Sequence, residues 1–546
     1  MKISETRFRA LRADFIRVLV LFPTLAVLTA CSGDSQYWFE AGPVGGGSGW
    51  QQGVFLDANS FFARCEAPRN GINPATNQPY PDVGGSTLDE NNFLRSFSND
   101  TYLWYAEIVD RDPSLYNDPL NYFELLKTTA TTPSGQPKDK FHFTYDSDDW
   151  YQLSQSGVSA GFGIQWAFIS NTPPRLLMVA YTEPNSPATN LALPIERGAQ
   201  ILAIDGVDID DVTQAGIDTL NAGLYPDGAG ESHTFTLQDA GSAGTRNETL
   251  ISENITLTPV QHAQVFATPT GNVAYMAFND HIATAEQALI DAVDLFNEFN
   301  GGQGVDDLVL DLRYNGGGYL AIASELAYMI AGPAATAGQT FEELQFNDKH
   351  PVTNPVTGQP ISPTPFYDEA LGAPFNGTPG QVLPTLNLAR VYVITGSGTC
   401  SASEAVMNGL RGVGVEVIQI GSTTCGKPYG FYAIDNCGTT YFTIQFKGVN
   451  AMGFGDYTDG FSPTNTPVAQ AGTVIPGCSV ADDFTKQLGD QTETRLSVAL
   501  AHRNGMACPA ATGRAPDGAS KPDLSLNAID AEIPKSPWHT NRIMRP

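Results

Sequence analysis

Three short apolar runs in the second half of the chain are each followed by a glycine-containing turn, and they lie at residues 307–312, 389–395 and 415–421. Runs of this length indicate buried strands. The stretch at 283–299 has the spacing of an amphipathic helix instead, so strands and helices alternate along the chain. Residues 261–510 are therefore predicted to form an α/β layer architecture.

A chain of 546 residues is too long for one hydrophobic core, and its length predicts three or four domains. Its 54 glycines and 37 prolines indicate many turns and a substantial β component. The predicted segments are a signal peptide at 1–30, a Gly-rich tether and irregular segment at 31–85, a small helical domain at 86–155, a β-rich domain at 156–260, the α/β core at 261–510 with an insertion at 332–388, and a polar tail at 511–546. The insertion has little periodicity, so we expect a long excursion or lid there.

The N-terminus carries an export signal. A basic region precedes an apolar stretch at 18–28 that is too short for a stable membrane span. Residues 28–31, Leu-Thr-Ala-Cys, resemble a bacterial lipobox, in which Cys31 receives a diacylglyceryl group and anchors the mature chain to a membrane. An ordinary signal peptide with an incidental cysteine is the alternative. Ser32 after the cysteine favours the outer membrane of a two-membrane host, so the expected location is the cell envelope, facing the periplasm or the exterior.

The charge and the cysteines limit the function classes. A net charge of −29 repels phosphate backbones and argues against nucleic-acid partners. No Cys-x-x-Cys or His-rich cluster indicates a metal, and we expect neither metal nor cofactor. Six cysteines follow the lipobox in a compartment that permits disulfides. The favoured pairs are the short-range ones, Cys425–Cys437 and Cys478–Cys508, which leaves Cys65–Cys400.

Ser401 is the first candidate for chemistry. It follows a strand and a glycine turn and begins a helix, where unpaired amides and the helix dipole stabilise negative charge. Ser401 and Glu404 also fit a plain capping box, which is a structural role and the better reading of this motif when it is taken alone.

Lys427 is the second candidate, in the turn after the strand at 415–421. Pro428 favours an extended backbone at Lys427 and so fixes where its side chain starts. To act as a base, the amine must be desolvated until its pKa falls from about 10.4 toward 7 or 8. An ordinary surface lysine cannot do this.

The third motif is residues 311–318, Asp-Leu-Arg-Tyr-Asn-Gly-Gly-Gly, a strand that ends in a glycine turn. Glycines let a backbone approach a ligand and direct amides into a cleft. A tight strand-to-helix connection is the structural alternative.

Together, the three motifs resemble the carboxyl-terminal processing, or tail-specific, serine peptidases. Members of that family read Asp-Leu-Arg-x-Asn-x-Gly-Gly, then Ser-Ala-Ser-Glu, then Gly-x-x-x-x-Gly-Lys. The resemblance implies a crotonase-like α/β peptidase core without metal or cofactor, with Ser401 as nucleophile and Lys427 as general base in an acyl-enzyme mechanism. It also implies an oxyanion hole formed by the amides of Gly317 and Ala402.

Residues 156–260 resemble a PDZ domain of the kind inserted in such peptidases. The segments that carry this resemblance are 161–164, 186–188 and 197–208. It implies that an extended peptide adds to a sheet edge, with a carboxylate-binding loop formed by Gly161, Phe162, Gly163 and Ile164. A purely structural β module is the alternative.

Two positions depart from the family pattern. Many relatives place a Gln four residues after the Lys, where this chain has Phe431. Lys427 also lies 26 positions after Ser401, one more than expected. His281, in a loop after a strand, is the alternative base. Glu404 is interpreted as a helix cap rather than a general acid.

The sequence therefore predicts an exported, lipid-anchored serine endopeptidase acting on polypeptides, with unfolded or C-terminal segments as the expected substrates. The competing hypothesis is a catalytically silent relative, a lipid-anchored scaffold that binds peptides through the PDZ-like groove, and Phe431 favours it. A third hypothesis, a hydrolase that is not a peptidase, is disfavoured because the sequence lacks a Gly-x-Ser-x-Gly elbow with a His partner.

Overall fold

The computed structural model describes residues 50–73, 78–467 and 472–510. The predicted signal peptide, Cys31, the glycine run of the tether and the 511–546 tail lie outside the described residues. Within the described ranges, no helix is long and apolar enough to cross a membrane.

The N-terminal region, up to residue 156, mixes helices and short strands. Its elements are β1 (Arg64–Cys65), β2 (Ile72–Asn73), β3 (Gln78–Pro79), β4 (Val83–Gly84), α1 (Thr87–Thr101), α2 (Pro119–Phe123), β5 (Phe143–Asp146) and α3 (Ser147–Tyr151), with short 3-10 turns at Ala58–Ser60, Tyr105–Glu107 and Pro113–Leu115 and a π-turn at Gln152–Ser156. On α1, Phe93 stacks on Phe97 in an aromatic core that also contains Tyr441. Because β5 pairs with residues 439–442, this region is built onto the C-terminal half of the chain.

The middle region is a twisted β module with one helix. Its elements are β6 (Val158–Gly161), β7 (Ile164–Ser170), β8 (Leu176–Thr182), β9 (Gln200–Ile204), β10 (Val207–Asp208), α4 (Gln214–Leu224), β11 (Ser232–Gln238), β12 (Arg246–Ile251) and β13 (Glu253–Thr256). The main sheet has the order β12-β11-β9-β8-β7, and β10 pairs with β9. Since β7 ends this order, its outer edge pairs with no other strand among the described residues.

The C-terminal region begins with the predicted α/β layer. Its elements are β14 (Val260–Thr268), β15 (Gly271–Phe278), α5 (Ala285–Gly302), β16 (Asp307–Asp311), α6 (Leu320–Ala331), α7 (Pro333–Thr336), β17 (Thr340–Phe346), β18 (Thr364–Pro365), β19 (Arg390–Thr395), α8 (Ala402–Gly412), β20 (Glu416–Gly421), β21 (Tyr429–Gly430), β22 (Ile434–Asn436), β23 (Thr439–Phe442), β24 (Phe446–Val449), β25 (Phe461–Pro463), β26 (Thr473–Ile475), β27 (Gly477–Ser479) and α9 (Thr494–Arg503).

The central sheet has the order β14-β15-β16-β19-β20-β27, and every pair except β14 with β15 is parallel. Met276 and Phe278 of β15 face the core formed with α5, α6 and α8. The alternate residues Val273 and Tyr275 face α9 and the middle region. Both faces are covered, which explains why these strands read as continuous apolar runs.

The insertion at 332–388 is more regular than its composition indicates. Its strand β17 joins a second sheet of order β18-β17-β24-β21, in which β17 runs antiparallel to β24. The sequence pattern that indicates β17 is an alternation of side chains over only seven residues. It is hard to recognise because it lies within a Pro/Gly/Thr-rich stretch.

A buried ion cluster fixes the start of the 311–318 motif. Arg313 donates to Asp311 (Nε to Oδ1, 3.0 Å), to Asp482 (Nη1 to Oδ1, 2.6 Å) and to Glu493 (Nη2 to Oε2, 3.0 Å). Arg197 of the middle region donates to the same Asp482 oxygen at 2.7 Å. Burial opposes ionisation of Asp482, but the two guanidinium groups hold its pKa well below the ordinary value. The cluster therefore ties the middle region to the central sheet.

Two of the three expected disulfide pairings are wrong. The bonds are Cys65–Cys437, Cys400–Cys425 and Cys478–Cys508, so only the last pairing is confirmed. The shortest separation, Cys425 to Cys437, was misleading because the pairing of β22 with β23 and of β23 with β5 carries Cys437 to the N-terminal region. Cys425 remains in the loop beside Cys400.

Candidate active site

Ser401 lies between the carboxyl end of β19 and the first residue of α8. Its backbone has φ 55° and ψ −116°, a conformation that residues other than glycine rarely adopt. Such strain costs about 1–3 kcal/mol and persists only where neighbouring contacts enforce it. The hydroxyl-bearing residue is therefore held in a sharp strand-to-helix turn at the positive end of the helix dipole.

The glycine turn of the 311–318 motif supports this strained turn. The Asn315 carbonyl accepts hydrogen bonds from the Cys400 amide (3.2 Å) and the Ser403 hydroxyl (3.1 Å). Gly317, at φ 103°, lies so close that a Cβ there would be 2.8 Å from Ser401 Cβ. Only glycine fits at this position, because both the backbone angle and the contact exclude a side chain.

Glu404 joins the Ser401 segment to the Lys427 segment. Its buried carboxylate accepts hydrogen bonds from the amides of Ser401 (3.1 Å), Gly426 (2.9 Å) and Lys427 (2.8 Å). The Thr424 hydroxyl donates to it as well. Burial raises the pKa of Glu404, and these hydrogen bonds oppose that rise. The residue predicted as a helix cap thus also positions the neighbouring loop.

Lys427 is buried beside this carboxylate, with 2% of its surface exposed. Desolvation lowers the pKa of its amine to about 7, while the nearby charges of Asp139 and Glu404 act in the opposite direction. An amine with this pKa is substantially neutral at physiological pH and can accept a proton.

Two aromatic rings enclose the amine. Lys427 Nζ lies 4.0 Å from the ring centroid of Phe431 and 5.1 Å from that of Phe141. Phe431 occupies the position where many relatives have Gln, and its ring packs edge-on against Phe143 and Phe442. The ring excludes water from the amine, and its face also attracts the protonated form. Phe141 belongs to the N-terminal region, so two distant parts of the chain form this enclosure.

A single cavity of about 650 Å³ contains both predicted reacting groups. Ser401, Ala402 and Lys427 line it, together with Gly318. Aromatic side chains from several regions of the chain form much of its wall, among them Phe143, Trp150, Tyr319, Tyr429, Phe431, Phe446 and Tyr457. The fold thus brings a strained serine and a desolvated lysine into one largely apolar chamber.

The two expected oxyanion donors differ in their surroundings. Ala402 is the first residue of α8, where an amide has no acceptor within its own helix. The Gly317 amide instead donates to Asn315 Oδ1 at 2.9 Å. This departs from the expectation for Gly317, because the Asn315 side chain folds back over the turn and takes the amide that a substrate oxygen would need.

His281, the alternative base, supports the same turn. It is fully buried, its Nδ1 bonds with Asn315 Oδ1 (3.0 Å), and burial lowers its pKa to about 4. It does not line the cavity that contains Ser401. Among the described residues, Lys427 is therefore better placed than His281 to act on Ser401.

The predicted peptide-binding residues lie in the middle region, apart from this cavity. Phe162 is buried against Phe235, and its carbonyl accepts the Ala188 amide at 3.1 Å. Gly161 ends β6, Gly163 has φ 73°, and Ile164 begins the edge strand β7.

Two groups of potential metal ligands exist in the described residues, Cys478 with His502 and Cys508, and Cys400 with Glu404 and Cys425. In each group the cysteines form a disulfide, so their sulfurs are not thiolates. The donor sets therefore do not fit a metal.

Sequence reasoning missed several parts of the site. Asp139 and Phe141 gave no signal, because they come from a segment more than 250 residues before Ser401. The Cys400–Cys425 bond joins the residue before Ser401 to the loop before Lys427. Its position beside both candidate residues was a usable signal.

Comparison with known proteins agrees with this site. Residues 271–430 match peptidase family S41, a segment that includes the glycine turn, Ser401 and Lys427. Two curated relatives are each named carboxyl-terminal-processing protease. The protein from a Picosynechococcus species is 27% identical over 282 residues, which cover 50% of this chain and 56% of the relative. The protein from a Synechocystis species is 30% identical over 179 residues, which cover 32% of this chain and 38% of the relative.

A solved structure from Bacteroides fragilis, described as a candidate S41 protease, has a similar fold. The superposition has a TM-score of 0.54 at 21% sequence identity and covers 78% of this chain and 98% of that chain. At this identity the likeness concerns the fold, a mixed α/β structure with several sheets. The chain aligns with 56% and 38% of the lengths of the two curated relatives.

The Cys400–Cys425 bond generates a prediction about the reactivity of Ser401. Replacing both cysteines with Ala should slow labelling of Ser401 by a fluorophosphonate probe by about tenfold or more, because small displacements of reacting groups cost large factors in rate. The labelling rate is measured on folded protein, as judged by circular dichroism.

The matched control is the Cys478→Ala, Cys508→Ala variant. The two bonds close loops of similar length, with separations of 25 and 30 residues, so both variants lose about 3–4 kcal/mol of chain-entropy stabilisation. The control should label within about twofold of the unmodified protein. Equal slowing in both variants would show that the Cys400–Cys425 bond acts only on stability.

Proposed function

Because this chain contains a peptidase family S41 domain at residues 271–430, we propose that it is a serine endopeptidase that hydrolyses polypeptides with Ser401 as nucleophile and Lys427 as general base. One observation carries the proposal. Ser401 and Lys427 line the same cavity, and burial lowers the pKa of the lysine to about 7.

The proposed reaction has two steps. Lys427 Nζ takes the hydroxyl proton as Ser401 Oγ attacks the scissile carbonyl carbon, and the resulting ammonium then protonates the leaving amine as the C–N bond breaks. The product is an acyl-enzyme ester on Ser401. Lys427, neutral again, takes a proton from water, the hydroxide attacks the ester, and the ammonium returns its proton to Ser401 as the acid is released.

The Ala402 amide is the proposed donor to the oxyanion that forms in both steps. It follows Ser401 directly, at the helix terminus where the dipole favours negative charge. One such donor contributes about 3–4 kcal/mol. The Gly317 amide contributes only when Asn315 Oδ1 releases it.

Substrate delivery is proposed to involve residues 156–260 as a PDZ-like module attached to a crotonase-like core. Two features support this proposal: the outer edge of β7 pairs with no described strand, and β7 begins at Ile164, the last residue of the predicted carboxylate-binding loop. An extended peptide can add to such an edge through backbone hydrogen bonds.

The test of the proposal is turnover of an unfolded protein by the full chain in detergent. The unmodified protein should cleave it, whereas Ser401→Ala and Lys427→Ala should each lose about 1000-fold or more of the activity. Cleavage is followed by mass spectrometry of the products.

Lys447→Ala is the control for the lysine variant. Lys447 lies on β24, is more exposed, and pairs with exposed Asp456, so its loss should leave turnover unchanged. Equal turnover by all four proteins would discard the mechanism. Peptide binding without turnover by any of them would favour the scaffold hypothesis. That hypothesis is motivated by Phe431, which stands where many relatives have Gln.

Attachment to a membrane through Cys31 is a separate proposal, supported by the lipobox-like residues 28–31. In Triton X-114 partitioning, protein exported by a bacterial host should enter the detergent phase, because acyl chains hold it there. The Cys31→Ser variant should move to the aqueous phase. Identical partitioning of the two proteins would contradict lipidation.

A further inference from the structure

Two acidic residues line the cavity that contains Ser401, Glu342 and Asp435, and Asp435 already pairs with Arg69 and accepts a hydrogen bond from the Ser147 hydroxyl. Glu342 lies on β17, where successive side chains point to opposite sides of the sheet. Glu342 and Leu344 line the cavity, and Glu343 between them is exposed to solvent. Strand alternation thus fixes which of the two adjacent glutamates faces the cavity.

The Glu342 carboxyl group is buried but unpaired. The side chain is 6% exposed, and burial is the cause that raises its pKa to about 8, with no hydrogen bond or opposite charge acting on it among the described residues. A buried carboxyl group without a partner costs free energy that a well-packed apolar residue would not. The neighbouring backbone makes room for it, since a Cβ at Gly448 would lie 2.1 Å from Glu342 Oε1.

Ser401 and Glu342 line the cavity from different elements, the start of α8 and β17. Ala405 lies one helical turn after Ser401 on α8, and both residues line the cavity. Phe446 of β24 and Tyr457 line the same space as Glu342. The cavity that contains Ser401 therefore also presents aromatic walls and an acidic group to a bound substrate.

We propose that Glu342 is a specificity-determining residue that selects substrates presenting a lysine or arginine side chain to this part of the cavity. The inference rests on the proposed peptidase function and names a substrate class for it. A cationic side chain would supply the missing partner, and the ammonium–carboxylate pair would form in a desolvated chamber where such pairs are strong. The aromatic rings add attraction for the cation.

Other side chains fit this part of the cavity less well. An aliphatic side chain leaves the carboxyl unpaired, and an acidic one disfavours ionisation of the carboxyl further. A site with a buried polar group rejects ligands that leave it unpaired more strongly than an apolar pocket rejects a small change in size. Neutral hydrogen-bonding side chains such as glutamine form the competing class of substrate side chains.

The experiment uses one peptide sequence with a single variable position, moved stepwise along both sides of the scissile bond. That position carries lysine, norleucine or glutamine, so size is held nearly constant while charge changes. For the unmodified full chain, lysine at one position should raise kcat/KM over norleucine and over glutamine by about tenfold or more. In Glu342→Gln the preference for lysine should fall below about twofold, while cleavage of the norleucine peptide continues.

Glu343→Gln is the matched control, because it makes the same carboxyl-to-amide change at the adjacent exposed residue of the same strand. It should keep the lysine preference. A loss of preference in both variants would assign the effect to the overall negative field and overturn the proposal, as would an unmodified protein that prefers norleucine or glutamine at every position.

Binding separates failure of this inference from failure of the peptidase function. With Ser401→Ala, the lysine peptide should bind about tenfold or more tightly than the norleucine peptide by fluorescence anisotropy, whether or not the unmodified chain cleaves either one. This comparison needs no change at Glu342, so it holds even if Glu342→Gln does not fold. Equal binding of the two peptides overturns the inference, and tighter binding without turnover supports it while discarding the catalytic mechanism.

Discussion

The buried carboxylate of Glu404 holds together the two segments that contain Ser401 and Lys427. Glu404 accepts the amides of Ser401, Gly426 and Lys427, so a single side chain fixes the start of α8 and the loop after β20 relative to each other. Hydrogen bonds to an ionised acceptor are about twice as strong as neutral ones, and burial strengthens them further. The Cys400–Cys425 bond joins the same two segments covalently. The strained backbone of Ser401 can persist because it is held from both sides.

The second constraint is the exclusion of water from the part of the cavity around Lys427. Burial disfavours the ammonium form, while Asp139, Glu404 and the face of Phe431 favour it, and burial prevails, so the pKa falls to about 7. The enclosure is assembled from separate parts of the chain, since Phe141 comes from the N-terminal region and Phe431 follows β21. The N-terminal region is therefore part of the site, because without it the amine would meet water and regain an ordinary pKa.

The sequence predicted the local parts of this arrangement well. Apolar strands followed by glycine turns gave the α/β core, and the motifs containing Ser401 and Lys427 lie in one cavity because the parallel strands β16, β19 and β20 end at the same edge of the sheet. The prediction of the core and the prediction of a shared site both depend on hydrophobic periodicity and on the order of the strands along the chain, which a sequence displays directly.

Contacts between distant segments could not be predicted in the same way. The pairing of Cys65 with Cys437 depends on β5 meeting β23 across almost 300 residues, and no local pattern encodes that contact. β17 was hidden because its short alternation lies within a Pro/Gly/Thr-rich insertion. The bond from the Gly317 amide to Asn315 Oδ1 depends on one side-chain rotamer, which motif spacing does not specify.

Folding keeps the Lys427 amine substantially neutral near physiological pH, and direct titration of that amine measures this property. In protein with ¹³C-labelled lysine side chains, the Lys427 Cε resonance is assigned by its loss in Lys427→Arg and followed by NMR against pH. If burial lowers the pKa as described, the midpoint lies near pH 7, with the neutral amine above it and the ammonium below it. A midpoint near the ordinary lysine value of about 10.4 would show that the amine is protonated at physiological pH and cannot act as the base.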